Sequence, residues 1–545
     1  MKYLLLPVTI CSFLTGFSAG SYDLVYSILN TKCQNGACHS ATAAEALKFD
    51  GTAAAVYSAL VNTTPGNAAA AASGDKIVRM NQPYNSYLLR KCASWLDSDL
   101  SLRTGEGDSM KTVYGTNISK KEAEYIRQWI MTGAPQTGNV VDTASINAYY
   151  DDPTAIPFAT KPIAPTNGMR IHVGPLFVPI GTEKEWLLKS EVVFPYDAEI
   201  KEIDGQLNIQ SHHFLLFRFD DSTQAAAMPN GLRTVSLSNG TTSFDGNKQL
   251  TGAWQTSEEI HLPQGTALFW PKHTWLDYNY HSKNATGHVL PVDFYLSLAY
   301  TEHLPTSTTI EMKSNLVNNP FFTIPAQSVK TLTMNDNDNG NNETRYIWMM
   351  SSHTHKYGTG FNIFKKDPAM PGNIGDTIYK GNFDYKDGVD RGYYDWEHPS
   401  IRYFQPQYPI DMTKGIFCKT SYNNTGSSPV FFGLTTNDEM QLYYYMYTNY
   451  LPDANGISSV DANQLFRIVP NPMDHSGMLV YALDKGAAVS VVVTDINGKV
   501  VAQQTALQQA AGEQHYQLPA DLSSGMYLAA VTVNGQRSVQ KFVVR

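Results

Sequence analysis

Ser211-His-His-Phe-Leu-Leu-Phe217 and Ser352-His-Thr-His-Lys-Tyr-Gly358 decide how the long middle of this chain is read. Each sets histidines at the edge of a short run between polar and turn-forming residues, the pattern of a half-buried strand. Similar runs recur outward from them: Arg170–Val173, Glu191–Phe194, Val292–Ala299, Tyr346–Met350 and Gln441–Tyr447, separated by Gly, Asn, Asp and Pro. Short strands broken by turn residues predict antiparallel β-sandwiches. The span from Met169 to about Leu451 suits two of them, with the break expected near His303–Thr308.

Residues two apart on a strand share a face, so His353 and His355 are expected to project together. His212 and His213 are adjacent and should face apart unless the strand bulges or ends there. Imidazole suits copper, and thioether sulfur favours the cuprous ion. His281, at the end of Tyr278-Asn-Tyr-His281, and Met440, in Asn437-Asp-Glu-Met440, complete a set of candidate ligands. Either histidine pair alone is more often ordinary surface or core.

The order of these words is more specific than any one of them. Ser211–Phe217, Tyr278–His281, Ser352–Gly358 and Thr436-Asn-Asp-Glu-Met-Gln-Leu-Tyr-Tyr444 resemble the copper type II, ascorbate-dependent monooxygenases, the family of peptidylglycine α-hydroxylating and dopamine β-monooxygenases. The resemblance covers about residues 168–450. It implies two jelly-roll-like copper domains, 168–305 and 306–452, and two copper ions that do not share a bridge. His212, His213 and His281 would hold the electron-transfer ion, with His273 and His288 as nearby alternatives to His281. His353, His355 and Met440 would hold the oxygen-activating ion, with Tyr444 in the catalytic site. It also implies dioxygen, an external reductant and a small-molecule or peptide substrate. Two departures matter. Gln441 follows Met440 where the family commonly has a cysteine, which leaves Cys418 without that partner. Ser351 and Leu442 stand where the peptide-hydroxylating branch has an Arg and an Asn that hold the substrate carboxylate, so a glycine-extended peptide is disfavoured. His261, His288, His303 and His398 read as surface or structural residues.

Upstream, residues 20–135 read as helical. Ser119-Lys-Lys-Glu122 is a capping box before Ala123, Ile126, Trp129 and Ile130, and Gly133 and Pro135 stop that helix. Cys33-Gln-Asn-Gly-Ala-Cys38-His39 closes a cysteine pair with Cys-His, as in c-type haem attachment but with a longer spacer. A disulfide from Cys33 or Cys38 to Cys92 is the alternative in an oxidising compartment. With Pro83–Lys91, Gly107-Asp-Ser-Met110 and Trp129–Ala134, this region resembles a secreted c-type cytochrome family. The likeness implies haem c on Cys33 and Cys38, with His39 and Met110 as axial ligands. Residues 136–167, low in periodicity, read as a linker.

The first 19 residues carry a lysine, an apolar run and a small-residue exit, which predicts a secretory signal peptide. No later stretch is apolar enough to suggest a transmembrane segment. Beyond a second linker, 453–463, residues 464–545 include Phe466-Arg-Ile-Val-Pro-Asn-Pro472, Leu522-Ser-Ser-Gly-Met-Tyr527 and Lys541-Phe-Val-Val-Arg545. These resemble the immunoglobulin-like C-terminal sorting domain of type IX secretion in Bacteroidetes. That implies contact with the secretion machinery and release or attachment outside the outer membrane. At 545 residues, 42% hydrophobic and 16% charged, the chain has the composition of a folded multidomain protein, and a net charge of −9 argues against a nucleic-acid surface. The expected activity is hydroxylation of an activated C–H bond with dioxygen, with electrons supplied by the chain's own haem domain. The competing expectation is a non-catalytic surface electron-transfer or copper-binding protein.

Overall fold

A computed structural model describes residues 20–34, 39–41, 47–110, 117–208, 213–235, 247–254, 257–337, 343–451, 466–469, 471–473, 477–483, 485–496, 498–533 and 536–545. The signal-peptide segment, Cys38 and His212 lie outside them.

The N-terminal module is helical. Ser21–Cys33, Tyr87–Ala93 and Lys120–Met131 carry most of its apolar faces, around a core that includes Val25, Leu29, Leu89, Ile126 and Trp129. The capping box forms: Ser119 Oγ accepts from the Glu122 N–H at 3.2 Å, and Glu122 Oε2 accepts from the Ser119 N–H at 2.7 Å. The Ala-rich stretch between these helices gives two short ones, Ala53–Leu60 and Ala68–Ala72. The segment read as a linker contains a further helix, Thr143–Asp151, capped by the Asp142 side chain. It buries Ile146 and Tyr149 in the same helical core, so the module extends past residue 135.

Two large sheets follow. One orders its strands as Gly168–Val178, Leu290–Glu302, Ala198–Leu207, Thr266–Trp270 and Ile310–Glu311, with Glu258–His261 also paired to Ala198–Leu207. The other runs Leu232–Thr234, Glu183–Val193, His273–Lys283, His213–Phe219 and Lys248–Trp254. Their apolar faces share one core, with Leu188, Phe214, Trp254, Phe294 and Leu296 inside. Pairing is antiparallel except for Ile310–Glu311, which lies parallel to Thr266–Ala267. That short strand carries this unit to residue 311, past the break expected near 303–308.

The second unit pairs Lys313–Asn318, Leu442–Thr448, Thr344–His353 and Ile401–Asp411 in one sheet, and Ser328–Asp336, Ile416–Asn424, Gly358–Lys366 and Ile374–Lys380 in the other. All seven residues of Leu442–Thr448 are buried. Alternation sends Tyr443, Tyr445 and Tyr447 into this unit's own core, while Tyr444 and Met446 enter the core centred on the first unit. The strand is therefore a wall common to both. The C-terminal unit has a three-stranded and a four-stranded sheet around Val489, Val491, Ala529 and Phe542. No helix among the described residues is long and apolar enough to cross a membrane.

The helical module meets the first unit through a charged seam. His172 is sandwiched between the rings of Tyr84 and Tyr295, at centroid distances of 4.2 and 4.1 Å. Its Nε2 lies 2.7 Å from Asp293 Oδ1, and its Nδ1 lies 3.1 Å from Asp99 Oδ2 and 3.7 Å from Asp97 Oδ2.

Candidate metal centre

Strand register brings the first two imidazoles together. His213 opens its strand directly opposite His281, so both side chains leave the same face, with ring centroids 4.8 Å apart. The second unit supplies His353 at the end of its strand, with its ring 6.1 Å from that of His213. His355 follows in the turn, 5.2 Å from His353 and perpendicular to it. Alternation along a strand is not what pairs His353 with His355, because the strand ends at His353 and the 354–357 turn swings the second ring round. His213, His281, His353 and His355 thus form one contiguous patch across the seam between the sandwiches.

That turn rests on two residues. Thr354 is fully buried, and a Cβ on Gly358 would fall 2.0 Å from its Oγ1, so only glycine fits there without displacing the turn. Glu439 is also fully buried. Its carboxylate accepts the backbone N–H groups of His355 at 2.9 Å, Tyr357 at 2.7 Å and Met440 at 3.1 Å. Burial pushes its carboxyl up to about 7, while those N–H groups pull it down. One side chain thus ties the His353–His355 turn to the segment bearing Met440. Met440 is buried, and Leu442, two residues on, pairs opposite His353.

Ring nitrogens are assigned by their partners. His355 Nδ1 lies 3.2 Å from the Asp438 carbonyl, which leaves Nε2 for another role. His281 Nε2 lies 2.7 Å from Glu183 Oε1. Burial, and then the neighbouring His281, hold the His355 imidazole down to about 4, so it is neutral at pH 7. Imidazoles oriented by carbonyl and carboxylate partners, with a buried thioether nearby in the chain, fit copper by donor chemistry. Glu183 and Glu439 were missed in the sequence reading. An acid immediately before a candidate methionine ligand was the available signal for Glu439; Glu183 had none.

The other candidates sort as follows. His273 is exposed and pairs with Glu191, and His288 pairs with Asp152. His273 and His281 bound most of one strand, eight residues apart, or roughly 27 Å. His261 pairs with the exposed Glu259, His303 with the buried Glu199, and His398 with Asp395. Tyr444 is buried in the apolar seam opposite Ser351, and its hydroxyl has no hydrogen-bond partner among the described residues. Ser351 Oγ donates to the Ser400 carbonyl at 3.1 Å. Gln441 Nε2 donates to Thr420 Oγ1 at 3.1 Å and lies 4.0 Å from Cys418 Sγ.

In the helical module, His39 Nδ1 lies 2.8 Å from the Leu47 carbonyl and its ring packs on Phe49, leaving Nε2 as an axial ligand requires. Met110 is half-buried. Cys33 and Cys92 share the helical core; burial, and then Cys33, raise the Cys92 thiol. Asp97, Asp99 and His172 are close enough to hold an ion. Arg127 already pairs with Asp97, and Arg170 and Lys161 with Asp99, so that group is an ion-pair lock.

Residues 467–545 match the family described as the secretion system C-terminal sorting domain. This tail directs the chain across the outer membrane to the cell surface or the extracellular space. No curated protein matches the chain. Solved structures with partial likeness include a β-D-glucuronidase of Dictyoglomus thermophilum, at 8% identity over 40% of this chain and 36% of that one, TM-score 0.15. Another is the major capsid protein P2 of bacteriophage PM2, at 10% identity over 55% of this chain and 98% of that one, TM-score 0.20. The chain spans about a third of the length of the glucuronidase, and likenesses this slight say nothing of its chemistry.

Proposed function

We propose that this chain is a secreted copper-dependent monooxygenase. It hydroxylates an activated C–H bond with dioxygen, and its own haem domain supplies the electrons. The observation that carries the reading is the meeting of His213, His281, His353 and His355 from two separate sandwiches. Surface histidines have no reason to converge across a domain seam, whereas ligands of a shared reaction do.

His213 and His281, with His212, would hold one copper ion, and His353, His355 and Met440 a second. Copper supplies one-electron redox chemistry and the binding of dioxygen. The reaction takes one oxygen atom into the C–H bond and releases the other as water, so it consumes two electrons and two protons. The chain's own residues do the positioning. Glu439 fixes the backbone of His355 and Met440 together, and the Asp438 carbonyl sets the His355 tautomer. Burial keeps His355 neutral and its surroundings dry. Leu442 and Ser351 offer no cation for a substrate carboxylate, so the substrate is an uncharged or differently anchored small molecule. In the helical module, His39 and Met110 would hold the haem iron, and Cys33 and Cys38 would attach the macrocycle. An external reductant would reload it.

Metal analysis of the exported protein tests this reading. Two copper ions and one haem iron per chain, with oxygen uptake that the Met440→Ile variant abolishes, are expected. Full copper loading with no oxygen uptake on any reductant would leave an electron-transfer protein, and absence of copper would end the proposal.

A further inference from the structure

Glu183 stands where the two sandwiches meet, and its partners belong to both. It opens the Glu183–Val193 strand of the first unit and accepts from His281 Nε2 at 2.7 Å. The same oxygen, Oε1, accepts from the Thr436 hydroxyl of the second unit at 3.0 Å. Thr436 lies inside a closed turn: the Asp438 N–H donates to the Thr435 carbonyl at 2.9 Å, and Asp438 Oδ2 accepts from the Thr435 N–H and hydroxyl at 3.1 and 2.8 Å. That turn presents the Asp438 carbonyl to His355 Nδ1 at 3.2 Å, and it leads straight into Glu439 and Met440. The path from an imidazole of one unit to an imidazole of the other is therefore His281, Glu183, Thr436, the 435–438 turn and His355. Each link is a hydrogen bond or a turn locked by hydrogen bonds.

We propose that Glu183 is a positioning residue that couples the two ligand groups, so that filling one raises the affinity of the other. The inference rests on the copper reading above and adds to it. A hydrogen bond from Nε2–H to a carboxylate strengthens when Nδ1 gives up electron density to a cation. A stronger His281–Glu183 bond holds Glu183 in the place that receives Thr436. The turn is then fixed before the second ion arrives, and the cost of ordering His355 and Met440 has already been met. Linkage makes the effect reciprocal.

The test is anaerobic titration of the full chain with cupric ion, following each group by its electron paramagnetic resonance spectrum, in wild type, Glu183→Ala, Glu183→Gln and Thr436→Val. In wild type, occupancy of either group is expected to tighten the other by about tenfold. Glu183→Ala removes that factor while two ions still bind. Thr436→Val keeps the His281–Glu183 bond, so it leaves the spectrum of the group that holds His281 unchanged and still loses the coupling. Glu183→Gln, which can still meet both partners, retains part of it. A merely structural role would weaken both constants and leave their coupling untouched, and that result overturns the inference. Equal coupling in wild type and Thr436→Val also overturns it, with the copper reading intact. Wild type binding fewer than two ions overturns both.

Discussion

Replacing His172 with Gln should cost about 3 kcal/mol more stability at pH 6.5 than at pH 9.5. The imidazole is nearly inaccessible, with its side chain 4% exposed. Burial alone would push it down, but the carboxylates of Asp293, Asp99 and Asp97 outweigh burial and hold it up at about 9. A group held above its unfolded value near 6.5 contributes fully below that value and loses its contribution as the pH rises through about 9. The difference corresponds to about 3 kcal/mol near pH 6.5, about 2 kcal/mol at pH 7.5 and little by pH 9.5. Tyr84 and Tyr295, which cover both faces of the ring, titrate well above this window and stay silent in it. Against the effect of burial, the Glu124 carboxylate holds Arg127, paired to Asp97, well above its ordinary value, and Arg170 and Lys161 pair with Asp99. Urea unfolding of the full chain, followed by helical circular dichroism, would compare wild type with His172→Gln at both pH values. Lost ring stacking adds a constant to both, so the quantity to read is the change in the difference. A penalty that is the same at pH 6.5 and 9.5 would refute the imidazolium lock.

Two further substitutions probe the neighbourhood of the histidine patch. Gly358→Ala should destabilise the second unit by roughly 1–3 kcal/mol, because the new methyl overlaps Thr354; pairing it with Thr354→Ser, which removes one methyl group, would relieve only part of the loss, since the hydroxyl contact remains, and an unchanged melting midpoint would contradict the close approach. Gln441→Cys should form a disulfide with Cys418 during export, seen as a mass lower by two hydrogens and a linked peptide after digestion without reductant, and it should stabilise the second unit by about 3 kcal/mol for a loop of this length.

Much of the architecture was legible because its signals are local. Period-two runs found strands whose bounds the structure shifts, from Gln441–Tyr447 to Leu442–Thr448 and from Glu191–Phe194 to the longer Glu183–Val193, and the Ser119–Glu122 box marked the start of its helix to the residue. The Thr143–Asp151 helix escaped because its segment shows little periodicity; it is held by the Asp142 cap and by burial of Ile146 and Tyr149 against the helical core, which no window of sequence contains. The end of the first unit was misjudged for a similar reason, since Ile310–Glu311 earns its place only by pairing with a distant strand. At the site, residue types pointed to the imidazoles but not to their mutual placement. His213 and His353 meet because two sheets dock, and Glu183 reaches Thr436 across 253 positions of chain.

The shared strand Leu442–Thr448 has a consequence for how this chain can change over time. Its neighbours on both sides are paired strands, and its two faces serve different cores. Inserting or deleting a single residue within it would exchange the faces, sending tyrosines meant for one core into the other and shifting Met440 by about 3.4 Å relative to His353. Substitutions on either face can be absorbed one at a time, but changes of length cannot. In homologous chains, insertions and deletions should therefore gather in the surface turns and be absent between 440 and 448, which would make this short span the most dependable anchor for aligning distant relatives.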